Sequence, residues 1–182
     1  ACNTIVQNFP GALCVGGSCN GNIVDGSFSG ETISVSCTIF ERESTRIGML
    51  QFSLGEDPAE SIAEGLVQEI EKRPWVSAVE MLVASPGMSY TGFCEGLNRI
   101  RKNVQVFGSL AGQISDEIPS FVFSNIHGYS TNALLCVLLG GDDLNVETAK
   151  VSGWKPLGKT FTVTKSDGNV LWELDGRPAF EA

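Results

Sequence analysis

The last part of the chain, from Thr160 to Leu174, carries the pattern that most constrains the fold. Polar and apolar residues alternate from Thr160 to Thr164 and again from Asn169 to Leu174, which is the period-2 pattern of a half-buried strand. Asp167-Gly168 between them is a turn sequence that supplies positive φ. The pattern predicts a β-hairpin, and therefore antiparallel strands.

The first half of the chain contains two further strand patterns. From Thr32 to Phe40, Ser and Thr alternate with the apolar residues Ile33, Val35, Cys37 and Ile39, as in a strand with one buried face. A second strand is predicted from Ile47 to Leu54. These patterns extend the sheet content beyond the closing hairpin.

Two helices are predicted between the strands. Asp57-Pro58-Ala59-Glu60 combines a capping residue, a proline in the first turn and a glutamate that completes a capping box. Apolar residues then recur at helical spacing until Lys72-Arg73-Pro74 ends the helix. The second helix is predicted from Ser89 to Lys102 and is weakened by Gly92 and Gly96.

The order of elements predicts the fold class. Strands are expected at Val79–Ala84 and Val104–Phe107, and Ser120–Ser124 and Asn132–Leu139 are expected to form a hairpin around Asn125-Ile126-His127-Gly128. Hairpin-length links favour an α+β fold over a doubly wound parallel sheet. We therefore expect one domain over residues 1–182, a layered α/β/β/α sandwich with mixed, largely antiparallel sheets.

Charge and cysteine usage limit the partners and the compartment. A net charge of −9 argues against nucleic acid and anionic membranes, which both need basic patches. No apolar run has the length of a membrane span, and no secretory signal opens the chain. The six cysteines include no Cys-x-x-Cys pair, and we interpret them as reduced core residues of a cytoplasmic protein. Because the chain starts at Ala1 without Met and stops at Ala182, both ends are expected to be cuts within a longer protein.

Four segments together resemble one known family. They are Gly16-Gly17-Ser18-Cys19-Asn20-Gly21-Asn22-Ile23, Pro86-Gly87, Val106-Phe107-Gly108-Ser109-Leu110-Ala111-Gly112, and the terminal series from Gly153-Trp154-Lys155-Pro156-Leu157-Gly158 through the hairpin to Ala179. In this order they resemble the FIST N-terminal domain, a sensory module of signal-transduction proteins. The resemblance implies a non-catalytic input domain that works with a C-terminal FIST domain or another output module.

Two of these segments are glycine-bearing loops that follow apolar strands, where a ligand can approach the backbone closely. Neutral Ser and Asn side chains there suit a small polar ligand such as an amino acid. We expect the two loops to meet and form one wall of a pocket, with Trp154 near its rim, whereas the alternative is that the glycines only turn the chain. The candidate ligand-binding residues are Ser18, Cys19, Asn20, Gly21, Gly108, Ser109, Gly112 and Trp154.

Other chemistries find little support in the residues. His127 is the only histidine, so a multi-histidine metal site is impossible, and its position in a predicted turn favours a solvent-facing side chain. Some members of the resembled family bind haem, but no cofactor is expected here. Cys2 follows Ala1 and has no Lys or Arg nearby to activate it, so an N-terminal-nucleophile hydrolase is the least favoured class. The remaining alternative is a protein-interaction module, as in family members attached to an F-box.

Overall fold

The computed structural model describes residues 2–55, 59–85, 90–113, 115, 117–167 and 170–181. The chain divides into two compact units, Ala1–Thr148 and Ala149–Ala182. The described residues form an α+β fold with mixed, largely antiparallel sheets, as the sequence predicts. The elements of the first unit are α1 Cys2–Asn8, β1 Val15–Gly17, β2 Asn22–Val24, β3 Ser27–Ser29, β4 Thr45–Ser53, α2 Ala59–Glu71, β5 Val76–Ala84, α3 Tyr90–Leu97, β6 Gln105–Leu110, β7 Val122–Ser124, β8 Gly128–Ser130 and β9 Ala133–Gly141.

A four-stranded sheet of order β4-β9-β5-β6 forms the centre of this unit. The pairs β4–β9 and β9–β5 are antiparallel, and β5–β6 is parallel. Strand β9 is almost continuously apolar and buried, which fits its central position between two strands and two packed layers.

The helices α2 and α3 cover one face of the four-stranded sheet. The apolar stripe of α2 is buried at Ala59, Ile62, Ala63, Leu66 and Ile70, as the helical spacing predicts. Side chains of β5, β9 and α3 complete a continuous hydrophobic core there.

Arg101 holds the ends of both helices in place beside this core. Its guanidinium donates hydrogen bonds to the carbonyl oxygens of Ile70 at 3.0 Å, Arg73 at 3.1 Å and Val76 at 2.7 Å. A cation at the C-terminal end of α2 also matches the negative end of the helix dipole.

Gly92 and Gly96 in α3 allow the close approach of α2. A Cβ atom on Gly96 would lie 2.5 Å from the Cβ of Ala63, and one on Gly92 would meet the carboxylate of Glu60. The residues that weaken the predicted helix are therefore the ones that let the two helices pack closely.

A second sheet, of order β1-β7-β8, covers part of the other face. Val122 of β7 is fully buried there against Ala84, Ala133 and Leu135 of the four-stranded sheet. Helices, four-stranded sheet and second sheet thus form three successive layers of the first unit.

The second unit contains the closing hairpin. Strands β10 Val163–Asp167, β11 Val170–Leu174 and β12 Arg177–Pro178 form an antiparallel sheet in that order. Asp167 pairs with Val170, which confirms the predicted hairpin, although β10 begins later than expected. Gly168 and Asn169 of the predicted turn lie outside the described residues.

The strand predicted from Thr32 to Phe40 is wrong, because this segment is irregular in the structure. Its apolar side chains Ile33, Val35 and Ile39 are exposed. The Asn22 side chain instead donates to the Thr32 carbonyl at 2.5 Å and accepts from the Ser34 hydroxyl at 2.6 Å. An alternating pattern forms a strand only where a neighbouring strand can hydrogen-bond to its backbone. At the Thr32 end of this segment, the Asn22 side chain makes that hydrogen bond instead.

In the hairpin predicted between Ser120–Ser124 and Asn132–Leu139, the first strand and the turn are found, but the partner strand is wrong. Strand β7 pairs with β8 across the turn 125–127, and β9 joins the four-stranded sheet instead. Strand β8, after the turn, was not predicted, because three residues are too few for a period to be read.

Helix boundaries and cysteines differ from expectation in detail. Helix α3 ends at Leu97, earlier than predicted. The helix start predicted at Asp57-Pro58 and the Pro86-Gly87 segment of the family resemblance lie outside the described residues. Cys136 is buried, and burial raises the pKa of its thiol well above its usual range. Cys19, Cys37 and Cys94 are exposed rather than core residues.

Candidate functional site

The two glycine-bearing loops meet in the structure. The segment after β1 and the end of β6 are joined by a backbone hydrogen bond from the Gly112 N–H to the Ser18 carbonyl, 2.7 Å long. The chain of β6 is held to β5 by a bond from the Ala111 N–H to the Val83 carbonyl. The expected approach of the loops is therefore confirmed, and their role as the wall of a ligand pocket stays a prediction.

Ser18 fastens three segments at this meeting point. Its side chain is only 7% exposed, and its hydroxyl donates to the Gly112 carbonyl at 2.7 Å and accepts from the Phe121 N–H at 2.9 Å. The Ser18 N–H donates in turn to the Phe121 carbonyl at 2.9 Å. Because its hydroxyl is already used in this way, Ser18 is suited to positioning the loops rather than to reaching a ligand.

The other polar candidates are accessible. Cys19, Asn20 and Ser109 are exposed, and the Cys19 thiol lies 3.5 Å from the Asn22 side-chain oxygen. Ser109 is opposite Leu82 in register, which puts it on the face of the four-stranded sheet that bears the second sheet. Neutral donors and acceptors are thus presented beside the fastened loop.

Two of the candidate glycines are required by close approach. A Cβ atom on Gly112 would lie 2.8 Å from the Asn20 backbone nitrogen, and one on Gly108, where φ is +148°, would collide with the Met81 carbonyl. A Cβ on Gly21 would also strike the Phe28 ring. These contacts support the structural reading of the glycines, because neighbouring protein atoms occupy the space that a side chain would need.

Trp154, the remaining candidate, belongs to the second unit. Its side chain is 92% exposed. A large amphipathic ring in this state is available for a ligand or a partner.

His127 lies in the turn 125–127 between β7 and β8 and is exposed, as predicted. Because β1 and β7 pair Val15 with Ser124 and Gly17 with Val122, this turn and the loop after Gly17 are at opposite ends of the strand pair. An exposed turn does not supply the enclosed apolar surroundings of a haem ligand. The residues around His127 therefore do not fit that group.

Two further features lie on the helical side. An open groove on α3 is lined by Tyr90, Thr91, Cys94, Glu95 and Asn98. Burial raises the pKa of the Tyr90 hydroxyl, which donates to the Ser85 carbonyl at 3.0 Å. Within the described ranges, no cluster of three or more His, Cys, Asp or Glu side chains could hold a metal ion.

Asn22 and the aromatic residues near Ser18 are further residues of this region that the sequence did not single out. Asn22 connects the loop to the segment 32–34 through its side chain. Phe121 and Phe123 flank the buried Val122, and Tyr129 follows the turn. The strand predicted over Ser120–Ser124 includes Phe121 and Phe123, but its local pattern does not show that the Phe121 ring contacts Tyr129.

The comparisons with known proteins give one match. A family model described as FIST N domain matches residues 2–177, which is nearly the whole chain. The searches of curated proteins and of solved structures found no match to this chain. Of the helices that the structure describes, none combines the length and apolar content needed to cross a bilayer.

Proposed function

The chain belongs to the FIST N domain family, whose members are sensory domains of signal-transduction proteins, and we propose that it is a non-catalytic input domain for a small polar ligand. An amino acid is the first ligand class to test. Ligand binding at the meeting loops is passed to a C-terminal FIST domain or another output module of the same protein, in the cytoplasm.

The observation that supports this proposal best is the fastened contact between the loops. Ser18 ties the segment after β1 to Gly112 and to Phe121, so a ligand that moves one loop acts on all three segments. Cys19, Asn20 and Ser109 stay accessible beside this contact. A fastened contact with accessible polar groups beside it is suited to a small-molecule site.

Binding can be tested by a thermal-shift screen of the 20 amino acids followed by titration calorimetry on those that raise the melting temperature. A specific ligand must stabilise the native state. Replacing Asn20 or Ser109 by Ala should weaken binding by about threefold to tenfold, the effect of one lost neutral hydrogen bond. Ser61→Ala, at an exposed serine of α2, is the matched control.

Trp154 is tested separately, because it belongs to the second unit. If it contributes to the site, Trp154→Ala weakens binding while the melting temperature of the free protein stays unchanged, since the ring is 92% exposed. Unchanged affinity in this variant removes Trp154 from the proposed site and leaves the loops in it.

The absence of catalysis is tested with Cys2→Ala. We expect neither the parent chain nor this variant to hydrolyse amide or ester substrates. Turnover that disappears in Cys2→Ala would favour the N-terminal-nucleophile alternative over a sensory role.

A further inference from the structure

Three aromatic rings lie together on the side of the second sheet that faces away from the four-stranded sheet. Val122 points into the core and is fully buried, so its neighbours Phe121 and Phe123 point the other way. Tyr129 is opposite Phe123 in register. The ring centroids of Phe121 and Tyr129 are 5.1 Å apart with a 40° tilt, and those of Phe121 and Phe123 are 6.5 Å apart with a 38° tilt. We call these three rings the aromatic face.

The aromatic face is continuous with the candidate site. Gly16, the middle residue of β1, is opposite Phe123, and a Cβ atom on it would lie 2.6 Å from the tip of the Phe123 ring. Phe121 is bonded to Ser18 through its backbone in both directions. The aromatic face therefore shares direct contacts with the first of the two loop segments.

The segments that form this surface contain neither Lys nor Arg. All 12 Lys and Arg residues fall within the segments 42–102 and 150–177, so the segments 1–41 and 103–149 contain acidic residues and His127 but no Lys or Arg. Both loops and all three rings come from these two segments. They offer no Lys or Arg to an anionic group of a ligand, and the chain as a whole carries a net charge of −9.

We propose that the aromatic face binds a small organic cation with a substituted ammonium group, and that such a cation is the ligand class sensed by the adjoining loops. The statement that the loops sense such a cation rests on the proposed function. Aromatic rings attract cations to their faces through the ring quadrupole, and an alkylated ammonium loses little hydration when it contacts them. Tyr129, 62% exposed, presents the most accessible ring.

The experiment is titration calorimetry of the 182-residue chain with choline chloride and tetramethylammonium chloride. The neutral isostere 3,3-dimethylbutan-1-ol tests the role of charge, and sodium chloride at equal concentration tests ionic strength. We expect both cations to bind, and choline to bind at least fivefold more tightly than the neutral isostere, as cation–π contact requires.

The matched variants are Tyr129→Leu and Tyr129→Phe. Tyr129→Leu removes an exposed ring, so the melting temperature should stay within about 2 °C while the affinity for choline falls about fivefold. Tyr129→Phe keeps a ring face and should retain most of the affinity. Gly16→Ala displaces the Phe123 ring without removing it and should also weaken binding.

Equal affinity for choline and its neutral isostere would overturn the inference, as would choline binding that Tyr129→Leu leaves unchanged. A third outcome is that an amino acid binds, that Ser109→Ala weakens this binding, and that neither cation binds. This outcome would contradict the inference and leave the proposed function supported. If cations and amino acids all fail to bind, both ideas fail together.

Discussion

The two faces of the four-stranded sheet are built in different ways. Under α2 and α3, fifteen buried residues form one hydrophobic cluster, and Arg101 fastens the helix ends from the rim. Under the second sheet, the buried cluster has four residues, and the polar Ser18 provides the main connection between segments.

This difference separates stability from recognition. A large apolar cluster supplies most of the folding free energy, because hydrophobic stabilisation scales with buried area. Short strands and loops beside a small cluster open at lower free energy, and ligand-binding segments are commonly drawn from such regions. The helical face is thus expected to be the rigid base on which the loops and the aromatic face respond to a ligand.

Truncating one leucine on each face is the strongest test of this comparison. Leu66 and Leu135 are both fully buried, the first under the helices and the second under the second sheet. Leu66→Ala should reduce the free energy of unfolding by about 3–5 kcal/mol, and Leu135→Ala by nearer to 2–3 kcal/mol, since a smaller cluster can relax around the cavity. Urea denaturation measures both, and a larger loss in Leu135→Ala would contradict the one-sided distribution of stability.

Two serines sharpen the comparison within the candidate site. Ser18→Ala leaves the Gly112 carbonyl and the Phe121 N–H without their partner hydroxyl and should cost about 1–3 kcal/mol of unfolding free energy. Ser109→Ala, at an exposed position, should change it by less than about 0.5 kcal/mol.

Hydrogen exchange provides the second measurement on this pair. Faster exchange over residues 16–22 and 108–112 is expected in Ser18→Ala and not in Ser109→Ala. Equal exchange in the two variants would mean that Ser18 does not hold the loops.

Two glycines test the helical face at a smaller scale. A Cβ atom at Gly96 meets Ala63, which cannot move without shifting α2, so Gly96→Ala should lose about 1 kcal/mol after its gain in helix propensity. At Gly92 the obstacle is the exposed carboxylate of Glu60, which can swing aside. Gly92→Ala should therefore be neutral or stabilising by up to about 1 kcal/mol in thermal melts. Equal losses at both positions would show that the helix approach does not depend on Gly96.

The sequence predicts the regular parts of this molecule well. The apolar spacing in α2, the strands near β4, β5 and β6, and the closing hairpin are all found, because in each the period is long enough to read and agrees with what the element buries. The approach of the two loops was also predictable, from the family resemblance together with the apolar strands that precede both loops.

The wrong strand predictions have a common physical origin, because the local sequence pattern does not determine which strand pairs with which. The alternation from Ile33 to Ile39 is that of a strand, but Asn22 bonds to the backbone where a neighbouring strand would be needed. Strand β9 joins the four-stranded sheet rather than β7 because it is apolar enough to be buried on both faces. The burial of Ser18 likewise depends on Gly112 and Phe121, about a hundred residues away in sequence.

The smallest expected effect is a pH dependence at the rim of the helical face. Near the end of α2, hydrogen bonds from Lys72 at 2.6 Å and Arg73 at 2.5 Å lower the pKa of the Glu69 carboxyl below its ordinary value near 4.5. A carboxyl with a lowered pKa in the folded state stabilises the protein above its unfolded pKa, and that contribution is lost as pH falls through the folded pKa. Glu69→Gln should therefore be slightly less stable than the parent at pH 7, and the difference in stability should vanish in acid below the lowered pKa.

Because these groups are near the surface, 1 M salt should reduce the difference in stability at pH 7. Urea denaturation in steps from pH 7 into acid, with Glu71→Gln as the control on the same helix, measures it. A difference that stays constant throughout this range would mean that Glu69 acts through packing of its side chain rather than through its charge, and the rim would then belong to the rigid base of the helical face.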